Sequence, residues 1–108
     1  MKEEQAVITR RLNDDMAKDS LLAVEVLDAY ARFKRGDWGD TCPEDAALNN
    51  EALTDGVSRI VAKYETSTEP IFIINSDEPY STDEDGDMMI KRITTLMYCD
   101  EYLRGRVM

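Results

Sequence analysis

Gly36-Asp37-Trp38-Gly39-Asp40, followed directly by Thr41-Cys42-Pro43-Glu44-Asp45, is the stretch on which the reading of the fold turns. It holds the only tryptophan and two of the five glycines. It also separates the most regular helical pattern in the chain from everything strand-like. Two readings of Trp38 follow from its neighbours. In one, the glycines take unusual dihedrals and the indole packs down over helices; in the other, an exposed aromatic flanked by carboxylates faces a partner. The structural reading is favoured, with Asp37 and Asp40 solvated in either case.

On the N-terminal side, Leu22, Val26, Ala29, Tyr30 and Phe33 recur at helical spacing, and Leu21, Val24 and Leu27 widen the stripe. The spacing predicts a helix over 21–34 that serves as the central helix of the core. Asp19 or Ser20 suits its N-cap, Arg32, Lys34 and Arg35 suit its C-terminal dipole, and Gly36 suits a left-handed C-cap. A shorter amphipathic helix is expected over 10–18, with Leu12 and Met16 on one stripe. Residues 1–5 are polar and expected to fray. Ala6-Val7-Ile8-Thr9 fits either a short edge strand or a first helical turn.

On the C-terminal side, Thr41-x-x-Glu44 fits a capping box with Pro43 in the first turn, and Ala47, Leu48, Ala52 and Leu53 form an apolar face closed by Gly56. Strands are expected at Arg59 to Tyr64 and Ile71 to Ile74, joined by a hairpin-length link. A third is expected from Met88 to Tyr98, with Arg92, Thr94 and Leu96 on one face. Residues 75–88 read as a mobile acidic loop. Asp100-Glu101-Tyr102-Leu103 could open a terminal helix before Arg104 and Arg106. The expectation is a single α+β domain over 1–108: two to three N-terminal helices on a three- to four-stranded antiparallel sheet.

Charge is the abnormal feature. With 13 basic and 23 acidic residues the formal net charge is −10. Such a surface repels phosphates, so neither direct nucleic-acid binding nor an anionic membrane is expected, and a basic protein surface is the favoured partner. Fourteen of the 23 acids lie in two windows without Lys or Arg, Gly36 to Ser58 and Tyr64 to Ile90. The N-terminus lacks a signal-peptide apolar core and no run reaches the roughly 18 apolar residues of a membrane span, which together with two lone cysteines suggests a cytoplasmic protein.

Catalytic chemistry is hard to place. There is no histidine, which removes the commonest general base and transition-metal ligand. Zinc would require Cys42 and Cys99 to meet carboxylates such as Asp40 or Asp100; inert cysteines are the simpler reading. Matching Gly86 of Asp83-Glu84-Asp85-Gly86-Asp87 to the glycine of a calcium loop puts Ser81 at the first ligand position. It also puts Arg92 where a bidentate glutamate is needed. Asp77-Glu78-Pro79-Tyr80 lacks the first proline of a methyltransferase D-P-P-Y motif, and no glycine-rich cofactor loop precedes it. No enzyme activity, cofactor or metal is expected.

Arg32 to Asp40, Glu44-Asp45, Asn49 or Asn50, Ala52-Leu53 and Gly56 resemble a family of small proteins of mobile elements. So do Arg59-Ile60 through Tyr64, Ile71 to Ile74, Thr94-Thr95-Leu96 and Asp100-Glu101-Tyr102. The family occurs in phages, plasmids and Firmicute genomes and is commonly labelled plasmid-related protein or type I restriction endonuclease subunit M. The chain departs from it in a longer acidic insertion between Ile74 and Ile90. The resemblance implies an accessory protein in a bacterial host cell whose opponents are host nucleases, and it supplies no catalytic residues.

Joined to the segregated charge, that context predicts an anti-CRISPR or anti-restriction inhibitor that occupies a basic nucleic-acid-binding surface, such as the duplex channel of an RNA-guided nuclease. The expected contacts are Asp37, Trp38, Asp40, Glu44, Asp45, Asp83, Glu84, Asp85 and Asp87. The alternative is a non-enzymatic accessory domain, monomer or homodimer, whose acidity serves solubility. A calcium- or zinc-binding module is a third reading.

Overall fold

A computed structural model describes the backbone of residues 4–106 and the side chains of residues 5–102. The order is β1 (Glu4–Ile8), α1 (Arg10–Lys18), α2 (Ser20–Lys34), α3 (Pro43–Asp55), β2 (Ile60–Tyr64), β3 (Ile71–Thr82), β4 (Met88–Tyr98) and α4 (Cys99–Arg106). The sheet runs β1-β4-β3-β2, antiparallel except for β1, which lies parallel to β4. The α+β class is as the sequence predicts, with a mixed rather than wholly antiparallel sheet. Val7 and Ile8 form an edge strand because Thr95 and Leu96, nearly 90 residues away, provide the ladder; four residues carry no local signal for that. Of the segment expected to fray, Glu4 and Gln5 belong to this strand and residues 1–3 lie outside the described residues.

Strand alternation sends one face of the sheet to the helices. Three cross-strand rows line it: Ile60, Asn75 and Thr94; Ala62, Ile73 and Leu96; Tyr64, Ile71 and Tyr98. All nine residues are buried. Leu12 from α1, Leu22, Val26, Ala29 and Phe33 from α2, Trp38, and Ala52 from α3 complete the core. Tyr102 of α4 meets Phe72 edge-on on the opposite face.

The α2 pattern is split by the structure. Asp19 caps the helix by accepting from Leu22 N (3.2 Å), and the stripe Leu22, Val26, Ala29 and Phe33 is buried. Leu21, Val24 and Leu27, expected in the core, are 58–63% exposed. They sit on the far side of the helix, and a helix resting on one sheet buries only about a 100° stripe.

The capping box of α3 does not form either. Cys42 is the N-cap and makes no side-chain cap bond, Pro43 opens the helix, and Gly56 (φ +72°) closes it. Thr41 Oγ1 is engaged elsewhere, with the Trp38 carbonyl and Lys63 N.

Residues 75–88 are not a loop. Asn75–Thr82 and Met88–Ile93 zip together beyond the body of the sheet, with a bulge between Pro79 and Ser81. They form a two-stranded arm that extends the molecule to 48 Å in its longest dimension. The loop shrinks to Asp83–Asp87. Asp83 Oδ1 accepts from Asp85 N and Asp87 N (2.9 Å each), Gly86 N donates to the Asp83 carbonyl (3.1 Å), and Gly86 takes φ +84°. Acidic residues can live in these strands because most of their side chains point to solvent on both faces of the ribbon.

Tyr98 gives this fold an alkaline limit. It is buried beneath α1, where its hydroxyl donates to Asp15 Oδ2 (2.6 Å) and Arg11 lies 4.4 Å over its ring. Burial, then the Asp15 hydrogen bond, push the phenol from its ordinary value near 10 up to about 12. The fold therefore favours the neutral phenol. The stability this contributes is intact below pH 10 and is lost as pH rises from 10 through about 12. Burial raises Tyr64 in the same direction, and raises the Cys99 thiol to about 11. Urea midpoints measured from pH 8 to 12 should fall steeply above pH 10. Tyr98→Phe should flatten that fall while losing about 1 kcal/mol at neutral pH; an unchanged slope would remove Tyr98 from the alkaline transition.

Candidate functional site: an acidic face and a cleft

All five residues of Gly36 to Asp40 are consumed in closing the fold. Gly36 (φ +79°) ends α2 in a Schellman arrangement, with Gly36 N on the Phe33 carbonyl (3.1 Å) and Asp37 N on the Arg32 carbonyl (2.9 Å). Asp37 takes both arms of Arg32 (2.9 and 3.2 Å) and accepts from Gly39 N, which together hold its carboxyl below the usual range. Its carbonyl accepts from the Tyr64 hydroxyl (2.6 Å). Gly39 (φ +63°) bridges to Lys63, and Asp40 caps Glu65 N (2.8 Å) while its own N–H donates to the Lys63 carbonyl (2.8 Å).

The outer edge of β2 is thereby covered. Asn49 completes the cover by pairing its amide with the N–H and carbonyl of Val61 (3.2 and 2.9 Å), which leaves less open edge for a foreign strand.

Trp38 is 7% exposed, lies edge-on to Phe33 (5.5 Å) and donates Nε1–H to Asn50 (2.9 Å). It is a core residue and not an exposed hot spot, which corrects its place among the partner contacts. Asp37 and Asp40 are exposed but bound to the fold.

The other expected contacts are free to act. Glu44 and Asp45 stand exposed on the first turn of α3; Asp83, Glu84, Asp85 and Asp87 stand exposed at the tip of the arm. Ion pairs among the described residues neutralise Asp37, Glu65, Glu69, Asp77 and Asp100. None reaches α3 or the tip. Ten of the fourteen acids in the two windows are therefore without a cationic partner among the described residues.

The two acidic elements meet at Arg92. This side chain, 8% exposed, points into the helix side of the sheet. Its guanidinium donates to Asn75 Oδ1, Asp77 Oδ1 (3.1 Å) and the carbonyls of Val57 (3.2 Å) and Ser58 (2.7 Å). Asn75 Nδ2 in turn donates to Thr94 Oγ1 (2.8 Å). The C-terminal end of α3 is thus tied to the base of the arm. From that joint α3 runs about 20 Å one way and the free part of the arm about 20 Å the other.

Sequence reasoning missed Arg92 as the organiser, since a cation beside an acidic insertion reads as solvated. It missed the arm although Asp83-x-x-Gly86 between alternating residues is a hairpin signal. Above the Asn75–Thr94 pair, between the ends of α2 and α3, lies a cleft of about 310 Å³.

Both cysteines are free thiols. Among the described residues the only group able to offer three acidic or thiol ligands to one ion is Asp83, Asp85 and Asp87, all fully exposed. No helix among the described residues is long and apolar enough to cross a membrane.

Fold and site together define an α+β domain that carries an acidic helix and an acidic two-stranded arm on one buried arginine joint. Comparison of the chain with protein-family models, with curated proteins and with solved structures finds no match.

Proposed function

We propose that this protein is a non-enzymatic inhibitor of a host defence nuclease, an anti-CRISPR or anti-restriction protein that binds a basic nucleic-acid-binding surface. The observation that carries the reading is the set of exposed carboxylates on α3 and the arm tip that no described cation neutralises. Carboxylates left unpaired on a projecting scaffold act on a basic groove as phosphates do. The resemblance to small mobile-element proteins supplies the adversary. Its departure from that family, the insertion between Ile74 and Ile90, coincides with the arm.

The test is DNA cleavage by RNA-guided nucleases and type I restriction enzymes, with and without this protein, at low and moderate salt. Protection should be dose-dependent and should fade with salt. Asp83→Lys, Asp85→Lys and Asp87→Lys combined should weaken it at least about tenfold and lower its salt sensitivity. Unchanged potency would remove the tip from the contact, and no protection across the panel would remove the reading.

A second reading is favoured by the exposed Leu21, Val24 and Leu27 of α2: an accessory interaction domain whose acidity serves solubility. Absence of nuclease protection, with a partner captured through α2 and lost on Leu27→Glu, would favour it.

A further inference from the structure

The cleft between α2, α3 and the base of the arm is built to take an apolar group. Tyr30, Phe33, Trp38 and Leu53 form its walls, and Ile60 lies on its floor beside Asn75 and Thr94. The polar atoms along that floor and wall are already engaged: the Asn75 amide with Thr94 and Arg92, the indole N–H with Asn50. Nothing there requires a polar ligand. At about 310 Å³ the space sits at the lower end of ligand clefts, with room for one large side chain and not for a cofactor. Leu53 is 58% exposed at its rim.

Charge identifies the occupant. The α3 wall carries Glu44, Asp45, Glu51 and Asp55 and no cation. The floor leads through Asp77 and Glu78 to the acids of the tip. The α2 wall contributes one lining cation, Lys34, whose ammonium lies 4.9 Å over the Tyr30 ring. An apolar socket between two acidic flanks fits an apolar anchor set in a cationic segment.

We propose that this cleft receives one aromatic or branched apolar side chain from a lysine- and arginine-rich segment of the partner protein, while α3 and the arm hold the flanking cations. The inference rests on the acidic-surface reading above and adds to it where the partner is anchored.

Trp38, the only tryptophan, makes the cleft report on itself. The probes are three labelled twelve-residue peptides. One combines Lys, Arg and Ser with a central Phe; a second replaces that Phe by Ser; a third keeps Phe but replaces every Lys and Arg by Ser. Binding is followed by anisotropy and by Trp38 emission, for the wild-type chain and for Leu53→Glu, whose fold is checked by its thermal midpoint.

The expected result is that the cationic Phe peptide binds at least about tenfold more tightly than either relative and shifts Trp38 emission. Leu53→Glu should abolish that advantage while leaving the weak, salt-sensitive binding of the Ser peptide. If both cationic peptides bind alike and leave Trp38 undisturbed, the cleft proposal is overturned and the acidic-surface reading stands. If no peptide binds at low salt, both fall. If the neutral Phe peptide binds as tightly as the cationic one, the cationic partner is wrong. Self-association in sedimentation that Leu53→Glu abolishes would give the cleft to a second copy, overturning the proposal.

Discussion

Arg92→Met should destabilise the fold by about 3–5 kcal/mol, measured as a fall in the urea midpoint at constant slope. Methionine fills much of the same volume, so the loss is one of hydrogen bonding and charge, not of packing. Asn75 Oδ1 is left without its donor in a buried row, the carbonyls of Val57 and Ser58 lose theirs, and Asp77 loses its counter-ion. A buried acceptor stripped of its partner costs about 1–3 kcal/mol. Asp77, whose side chain is 30% exposed, recovers part of its hydration, which holds the total within the stated range. Arg92→Lys should rescue less than half, because one compact ammonium cannot span four acceptors that a planar fork reaches together. Amide exchange at the base of the arm should quicken in both variants. A loss under about 1 kcal/mol would show that the joint between α3 and the arm does not depend on this side chain.

Gly39→Ala is the second large effect, expected at about 2–4 kcal/mol. Gly39 has φ +63°, a conformation that a Cβ disfavours by about 1–2 kcal/mol. The added carbon would also run into the Tyr64 ring and lie 2.9 Å from the Lys63 carbonyl oxygen. Neither neighbour can give cheaply. Tyr64 is 1% exposed with its hydroxyl fixed on the Asp37 carbonyl (2.6 Å), and the Lys63 carbonyl accepts from Asp40 N (2.8 Å). Gly56→Ala is the control: its φ is +72°, but nothing lies within 4 Å of its Cβ position, so it should show the backbone cost alone. Equal losses at the two glycines, read from thermal or urea midpoints, would mean that the close approach to Tyr64 contributes nothing.

These variants also separate the two halves of the acidic surface. Gly39 fixes the turn that precedes α3, and Arg92 fixes the arm against the end of α3. A nuclease-protection assay on each, at a temperature where it remains folded, should show Arg92→Met weakening protection more. It alone loosens the arm relative to the helix.

Local pattern alone delivered most of this protein. The helix over 10–18, the N-cap at Asp19, the glycine stops at Gly36 and Gly56 and the strand over 88–98 with Arg92, Thr94 and Leu96 on one face all follow from short-range rules of capping and periodicity. Those rules act within a few residues, so the sequence displays them directly. The charge segregation was equally legible, because composition needs no fold. Tertiary structure decided the rest. Val7 and Ile8 became a strand only because a parallel partner lies some 90 residues on, and Trp38 became a core residue because Phe33 and Asn50 converge on it. Leu21, Val24 and Leu27 stayed outside because the sheet offers α2 one face. Asn75 to Ile90 rose into an arm because ladder bonds between distant residues outweigh an acidic composition. Each outcome depends on contacts whose energy appears only when remote segments meet, and no window of sequence contains both partners.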